Sequence, residues 1–109
     1  MAYDEGLAQR LRELFADRTD VVEKKMFGGI AFMVSGNMCC GVVGEELMAR
    51  VGPEQYEDAL KQPYAREMDF TGKPMNGFIY VGIQGFALDK DLAPWVERCE
   101  QFVSTLPEK

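Results

Sequence analysis

Histidine is absent from this chain of 109 residues. Its imidazole is the commonest general base and the commonest metal ligand in proteins. The absence excludes a Ser-His or Cys-His nucleophile and a zinc-histidine site built from this chain alone. The sequence therefore offers no catalytic residues of these kinds, and it favours a non-enzymatic role.

The chain has only three cysteines, Cys39, Cys40 and Cys99. An odd count with two adjacent members argues against a disulfide framework, and no Cys-x-x-Cys spacing exists for a zinc site. The glycines form no dinucleotide fingerprint, because the order around them is strand-turn-strand rather than strand-turn-helix. We therefore expect a cytoplasmic protein with no metal and no cofactor.

Long apolar runs and basic runs are also missing. No segment approaches the ~20 consecutive apolar residues of a membrane span, and the charged N-terminus is unlike a signal peptide. The net charge is −6 and the isoelectric point is about 4.6. An acidic domain repels a phosphate backbone, and the longest basic cluster is Lys24-Lys25 beside Glu23. We expect no membrane association, and nucleic-acid binding is the least favoured function.

The densest run of apolar residues and glycines lies between Lys24 and Gly41. Two apolar segments, 30–34 and 38–44, flank Ser35-Gly36-Asn37. Apolar segments around a short turn with Gly and Asn are typical of a β-hairpin. The run therefore predicts the central hairpin of a sheet.

Apolar residues recur at helical spacing near both ends of the chain, as in the stripe of Leu92, Trp95, Val96 and Cys99, which is expected to face the core. Asp91 is a suitable N-cap for that last helix, and Pro94 would then fall in its first turn. A short helix is expected after Gly52-Pro53. The predicted elements are helices over 3–17, 54–60 and 91–106, and strands over 21–27, 30–34, 38–44, 47–51, 66–70 and 78–83.

This order predicts one α+β domain over residues 1–109. Strands joined by short links favour an antiparallel meander. The expected architecture has two layers: a sheet of about five to six strands with the helices packed on one face, in the order α-β-β-β-β-α-β-β-α. The other face, with Lys25 and Arg50 among apolar neighbours, is a candidate partner surface.

Cys39 and Cys40 are the candidates for a reactive thiol. Adjacent side chains of a strand point to opposite faces, so these two are not expected to meet a common partner. Free cysteine often acts as a small hydrophobe, which is the alternative interpretation. Cys99 falls on the apolar stripe of the last helix and is expected in the core.

Five cations form the second candidate site. They would converge on a ligand or partner surface if their strands are neighbours, and otherwise they are solvated side chains that protect the sheet. Methionine is abundant, with seven residues, and methionines in strands serve either as adaptable core packing or as a partner surface. The candidate cations are Lys24, Lys25, Arg50, Arg66 and Lys73.

The segment MFGGIAFMVSGNMCCGV, residues 26–42, resembles the TfoX N-terminal domain family. The segments LMARV (47–51) and DFTGKPM (69–75), and Trp95 in the last helix, are similar to that family as well. The resemblance implies an α+β domain of α-β-β-β-α-β-β-α-like order, similar to type III secretion chaperones. It also implies kinship with bacterial regulators of DNA-uptake competence. The family has no agreed catalytic residues, so none is carried over.

Two functions of different classes follow from these observations. The first is a regulatory module that binds a protein partner or a second copy of itself, favoured by the acidic charge and the methionine-rich sheet. The second is a small-ligand site or enzyme in a pocket near Arg50, Lys73 and Cys40.

Overall fold

The computed structural model describes residues 3–26, 28–68 and 77–107. Within these ranges the chain forms three α-helices, six strands and one 3-10 turn, and their order confirms the predicted one. The predicted strand ends at Phe27 and beyond Met68, and the candidate Lys73, lie outside the described residues. The elements are α1 (Glu5–Leu14), β1 (Val21–Met26), β2 (Gly29–Val34), β3 (Asn37–Val43), β4 (Glu46–Arg50), α2 (Tyr56–Leu60), β5 (Ala65–Glu67), β6 (Phe78–Val81), the 3-10 turn Ile83–Gly85, and α3 (Asp89–Val103).

The strands form one antiparallel sheet in the order β1-β2-β3-β4-β6-β5. The first four strands are the predicted meander, and β5 and β6 add a second antiparallel pair beside β4. The turn between β2 and β3 consists of Ser35 and Gly36, which both have positive φ (50° and 85°). Two such residues in a two-residue loop match the twist of a hairpin. Asn37, predicted in the turn, is instead the first residue of β3.

The two long helices contribute apolar stripes to one face of the sheet. Asp4 caps α1 by accepting hydrogen bonds from the backbone N–H groups of Gly6 and Leu7. None of the described helices has both the length and the apolar content needed to cross a membrane. The main core therefore lies between helices and sheet, with fully buried residues such as Phe32, Leu11 and Leu47 at its centre.

Helix α3 begins two residues before the predicted N-cap. The N–H groups of Asp91 and Leu92 both donate to the carbonyl of Leu88. Asp91, the predicted N-cap, is therefore already part of the first helical turn. Leu88 is the N-cap residue and makes no side-chain cap. Pro94 therefore lies inside the helix, where its missing N–H leaves the carbonyl of Lys90 without the usual helical donor.

Candidate functional site

The two adjacent cysteines lie at a β-bulge. Phe32 pairs with Cys40, and Met33 pairs with Met38, so Cys39 has no partner of its own in β2. One extra residue in a strand cancels the alternation of faces at that point. Cys39 and Cys40 consequently both face the helix-side core, and the prediction that they point to opposite faces is wrong.

All three cysteines meet in that core as free, fully buried thiols. Cys40 and Cys99 both hydrogen-bond Cys39, and these contacts lower the pKa of Cys39 against the opposing effect of burial. The positive charges of Arg18 and Arg50 act in the same direction. The contact with Cys39, followed by burial, raises the pKa values of Cys40 and Cys99. Negative charge in the cluster is thus favoured on Cys39 alone.

The cluster is closed to reagents in solution because none of its side chains is exposed. No group of three or more Cys, Asp or Glu side chains in the described ranges, the three thiols included, is arranged to hold a metal ion. The geometry therefore provides a polarised but inaccessible thiol group rather than an open reaction site.

Arg50 contacts the structure around it on several sides. Its Nη1 donates to the carbonyl of Met38 at 3.2 Å. Its guanidinium lies 5.4 Å from the ring centroid of Phe78 and 5.2 Å from that of Phe102. The half-buried cation therefore joins the end of the sheet to α3 by cation–π contacts. The second function predicted above would require a ligand to displace these contacts and to reach the buried Cys40.

The sheet register divides the candidate cations between two faces. Lys24 pairs with Ala31 and Arg66 with Tyr80, and both lie on the face away from the helices. Arg50 pairs with Phe78 and starts from the same face, but its guanidinium reaches Phe102 of α3 at the end of the sheet. Lys25 pairs with the core residue Ile30 and lies on the helix side. The interpretation that placed Lys25 and Arg50 on one partner surface is therefore wrong, because the alternation of β1 turns Lys25 the other way.

The face away from the helices, here called the methionine face, has its own apolar cluster. None of its described members belongs to a helix. Its centre is buried, partly because the terminal methyl of Met48 lies over Gly41 and the guanidinium of Arg66 lies 4.7 Å from the ring centroid of Tyr80. Around this centre, the members are only partly buried. The centre comprises Ala31, Met48, Met68 and Tyr80, and the surrounding residues are Met26, Met33, Met38, Val43 and Phe78.

Three charged side chains of the described strands lie on the methionine face. Two are the cations Lys24 and Arg66, and the third is Glu46, which forms an ion pair with Arg66. The balance on this face is therefore basic, although the whole chain carries a net charge of −6.

A network of ion pairs lies beside the turn of the central hairpin. Arg18 binds Asp20 with two hydrogen bonds of 2.9 Å and also pairs with Glu100 of α3. The hydrogen bonds from Arg18 and then from Ser35 lower the pKa of Asp20. The hydrogen bonds that Arg18 donates to Asp20 and Glu100 raise the pKa of Arg18. The network connects the loop between α1 and β1 to the hairpin turn and to α3.

A cleft of about 290 Å³ lies beside α3, and no sequence pattern predicts it. It lies between α3, the loop before β5 and the 3-10 turn. Trp95 was predicted in the core, and it is 7% exposed, but it also lines this cleft. The clustering of Pro63, Tyr64 and Pro94 around it depends on tertiary structure, so no spacing along the chain reveals it. We call this site the Trp95 cleft; Pro63, Tyr64, Gln84, Pro94, Trp95 and Arg98 are among its lining residues.

Comparison with known proteins gives one match. The family described as TfoX N-terminal domain matches residues 13–103. The matched region extends from α1 to the last residue of α3, and it contains the methionine face, the thiol cluster and the Trp95 cleft. No curated protein and no solved structure matches the chain.

Proposed function

The chain belongs to the TfoX N-terminal domain family, and from this premise we propose that it is a non-enzymatic, regulatory interaction module. Its methionine face binds an apolar segment of a partner protein that carries acidic residues. This role agrees with the kinship to regulators of DNA-uptake competence that the sequence resemblance implies.

The observation that supports the proposal is the composition of the methionine face. Met26, Met33 and Met38 surround a buried apolar centre, and each keeps part of its surface exposed. Methionine side chains are flexible and polarizable, so a methionine-rich surface adapts to apolar partners. The helix-side core needs no such adaptability, because α1 and α3 already cover it.

The charge of the face supports an acidic partner. Lys24 is exposed near the β1 edge, and Arg66 lies at the β5 end of the sheet, so cations are present toward both sides of the apolar centre. Complementary charge at the rim of an interface steers encounter and selects the partner. Since the remainder of this acidic chain carries the opposite sign, the local balance is specific to this face.

The test uses two amphipathic helical peptides of equal length with the same leucine face. One carries glutamates on its polar face, and the other carries lysines. Selective ¹³C labelling of the methionine methyl groups allows NMR to report directly on Met26, Met33 and Met38. We expect the glutamate peptide to bind at least tenfold more tightly than the lysine peptide and to shift these three signals.

Two variants and their controls locate the binding. Met33→Glu should weaken binding of the glutamate peptide, whereas Leu14→Glu, at an exposed apolar position of α1, should not. Lys24→Glu should reduce the preference for glutamate over lysine, and Lys90→Glu should leave it unchanged. Equal binding of the two peptides, or binding that shifts none of the three methionine signals, would contradict the proposal. A dimer whose interface covers the face would replace the partner segment by a second copy.

A further inference from the structure

The indole N–H of Trp95 makes no hydrogen bond to a described residue. Every fully buried side-chain nitrogen or oxygen in the described ranges has a partner. The indole nitrogen is therefore accessible to solvent, although Trp95 as a whole is only 7% exposed. The Trp95 cleft is the open space beside the ring. A buried indole N–H normally has an acceptor, and a carbonyl of a ligand bound in the cleft would supply one.

Tyr64 adds an exposed ring to the same cleft. Its backbone has a φ of +69°, a conformation that is strained for a bulky residue, and its exposure is 52%. The N–H of Gly82 donates to the Tyr64 carbonyl at 2.9 Å and holds this conformation. Gly85 lies against Tyr64, because a Cβ at Gly85 would come within 3.3 Å of Tyr64 Cβ. Strain maintained around an exposed aromatic side chain is typical of a binding site.

The shape of the cleft favours part of a peptide over a small molecule. Its volume of about 290 Å³ is at the lower limit of pockets that enclose drug-sized ligands, and it is open to solvent. A polyproline II segment has solvated carbonyls and flat prolyl rings, and grooves lined by aromatic side chains recognise it. Trp95 can donate to such a carbonyl, while Tyr64 and Pro94 offer apolar surface to the prolines.

The charges around the cleft specify the residues that flank the prolines. Arg98 lies 5.4 Å from the ring centroid of Trp95, and its charge is balanced by Asp58 at 3.1 Å. Asp91 also lines the cleft and is exposed. Because Arg98 is paired with Asp58, Asp91 is the lining residue whose charge a cationic residue of the ligand would complement.

We infer that the Trp95 cleft binds a proline-rich segment in the polyproline II conformation, with an arginine or lysine beside its prolines. This site is separate from the methionine face. Trp95 supplies the hydrogen bond to a peptide carbonyl, Tyr64 packs on a prolyl ring, and Asp91 selects the flanking cation.

The probe is a fluorescein-labelled hexaproline peptide with an arginine at each end. Matched peptides replace the arginines by glutamates, or the prolines by alternating alanine and glycine. Because Trp95 is the only tryptophan, its intrinsic fluorescence reports on the cleft alone. We expect saturable binding of the arginine-proline peptide with a change in tryptophan emission. Replacing either the arginines or the prolines should weaken binding at least fivefold.

Tyr64→Gly is the decisive variant. Glycine adopts a positive φ without strain, so the fold should be at least as stable, while the loss of the ring should weaken binding at least tenfold. Ile83→Ala removes an exposed apolar side chain nearby that is not among the residues lining the cleft, and it should bind as the wild type does. Trp95→Phe, followed by peptide anisotropy, should lose the hydrogen bond but retain the ring. Asp91→Asn should reduce the preference for arginine over glutamate.

The result that would overturn the inference is binding that does not depend on the prolines or survives Tyr64→Gly unchanged. No binding at millimolar peptide would also overturn it. Met33→Glu should leave binding of the proline peptide intact, so failure at this cleft and failure at the methionine face are distinguishable.

Discussion

The ring of Phe102 occupies the space that a side chain at Gly52 would need. A Cβ at Gly52 would lie 2.3 Å from Phe102 Cδ1, and Gly52 has a φ of +85°. The glycine directly follows Val51 at the end of the sheet, and Phe102 also contacts Arg50. Close packing of α3 against this end of the sheet thus depends on the absence of a side chain at one position.

Gly52→Ala should therefore destabilise the fold by about 2–5 kcal/mol, from backbone strain and overpacking together. Gly44→Ala is the matched control, since Gly44 also has a positive φ (+59°) but a Cβ there would meet no described atom within 4 Å. The control should lose only about 1 kcal/mol. Urea unfolding measures both. Equal losses would mean that backbone strain, and not Phe102, accounts for the effect.

Asn37 provides a second prediction, because it is a polar side chain with only 3% exposure. Its Nδ2 donates to the carbonyl of Pro107 at 2.9 Å and so ties the hairpin to the chain beyond α3. Asn37→Ala should cost about 1 kcal/mol, the usual effect of losing one hydrogen bond, because the exposed Pro107 can pair its carbonyl with water. Asn37→Asp should cost more at pH 7, where it places a carboxylate against that carbonyl.

The difference between these two variants should depend on pH. Burial disfavours the charged carboxylate, so the aspartate is protonated more readily in the folded chain than in the unfolded one. Acidification from pH 7 to pH 4 should bring Asn37→Asp closer to Asn37→Ala in unfolding free energy. A constant difference would show that the aspartate is solvated and that residue 37 is not confined in the folded chain.

The thiol cluster leads to a prediction about pH. The pKa of Cys39 is lowered in the folded chain, so its stabilising contribution is present above the unfolded thiol pKa and is lost as pH falls through the folded value. Cys40 and Cys99 have raised pKa values, so their contribution is lost as pH rises past the unfolded value. Stability should therefore rise from mildly acidic pH toward the ordinary thiol pKa of about 8.5 and fall above it.

Cys39→Ala should flatten the rising part of this profile, and Cys99→Ala should reduce the fall. The measurement is urea unfolding under reducing conditions across the pH range. A rise that persists in Cys39→Ala would contradict its assignment to Cys39, because Asp20, whose pKa is lowered, changes stability only below the ordinary carboxyl range.

The three buried thiols should be protected from thiol reagents in the native protein. All three thiols are fully buried, so Ellman's reagent should label the native protein slowly and the urea-unfolded protein quickly, at all three positions. The native rate should follow the population of opened molecules, and Gly52→Ala should increase it. A single fast native thiol would contradict the closed geometry of the cluster.

The central hairpin was predictable because its evidence is local. Alternating apolar residues on both sides of Ser35-Gly36 specify two strands and a tight turn, and the structure has both. The bulge at Cys39 was not predictable, since it depends on which residue of β2 faces which residue of β3. A pattern of alternation alone places Cys39 and Cys40 on opposite faces.

Among the site residues, too, local patterns were predictable and contacts between distant parts of the chain were not. The apolar stripe of α3 correctly placed Trp95 and Cys99 in the core. The stripe could not show that one edge of Trp95 reaches an open cleft, because Pro63 and Tyr64 arrive there from another part of the chain. Lys25 and Arg50 were predicted on one face because both are cations among apolar strand residues. The pairing of Lys25 with Ile30 places Lys25 on the helix side of the sheet instead.

The bulge at Cys39 also makes the hairpin sensitive to chain length in an unusual way. Met38 and Cys40 already occupy successive alternating positions opposite Met33 and Phe32. Deletion of Cys39 would restore a regular ladder without turning any other side chain to the opposite face, whereas deletion of a neighbouring residue in a regular strand reverses everything beyond it. The number of thiols in the core therefore varies with a single inserted residue, and a shorter relative can have the same sheet with only two of them.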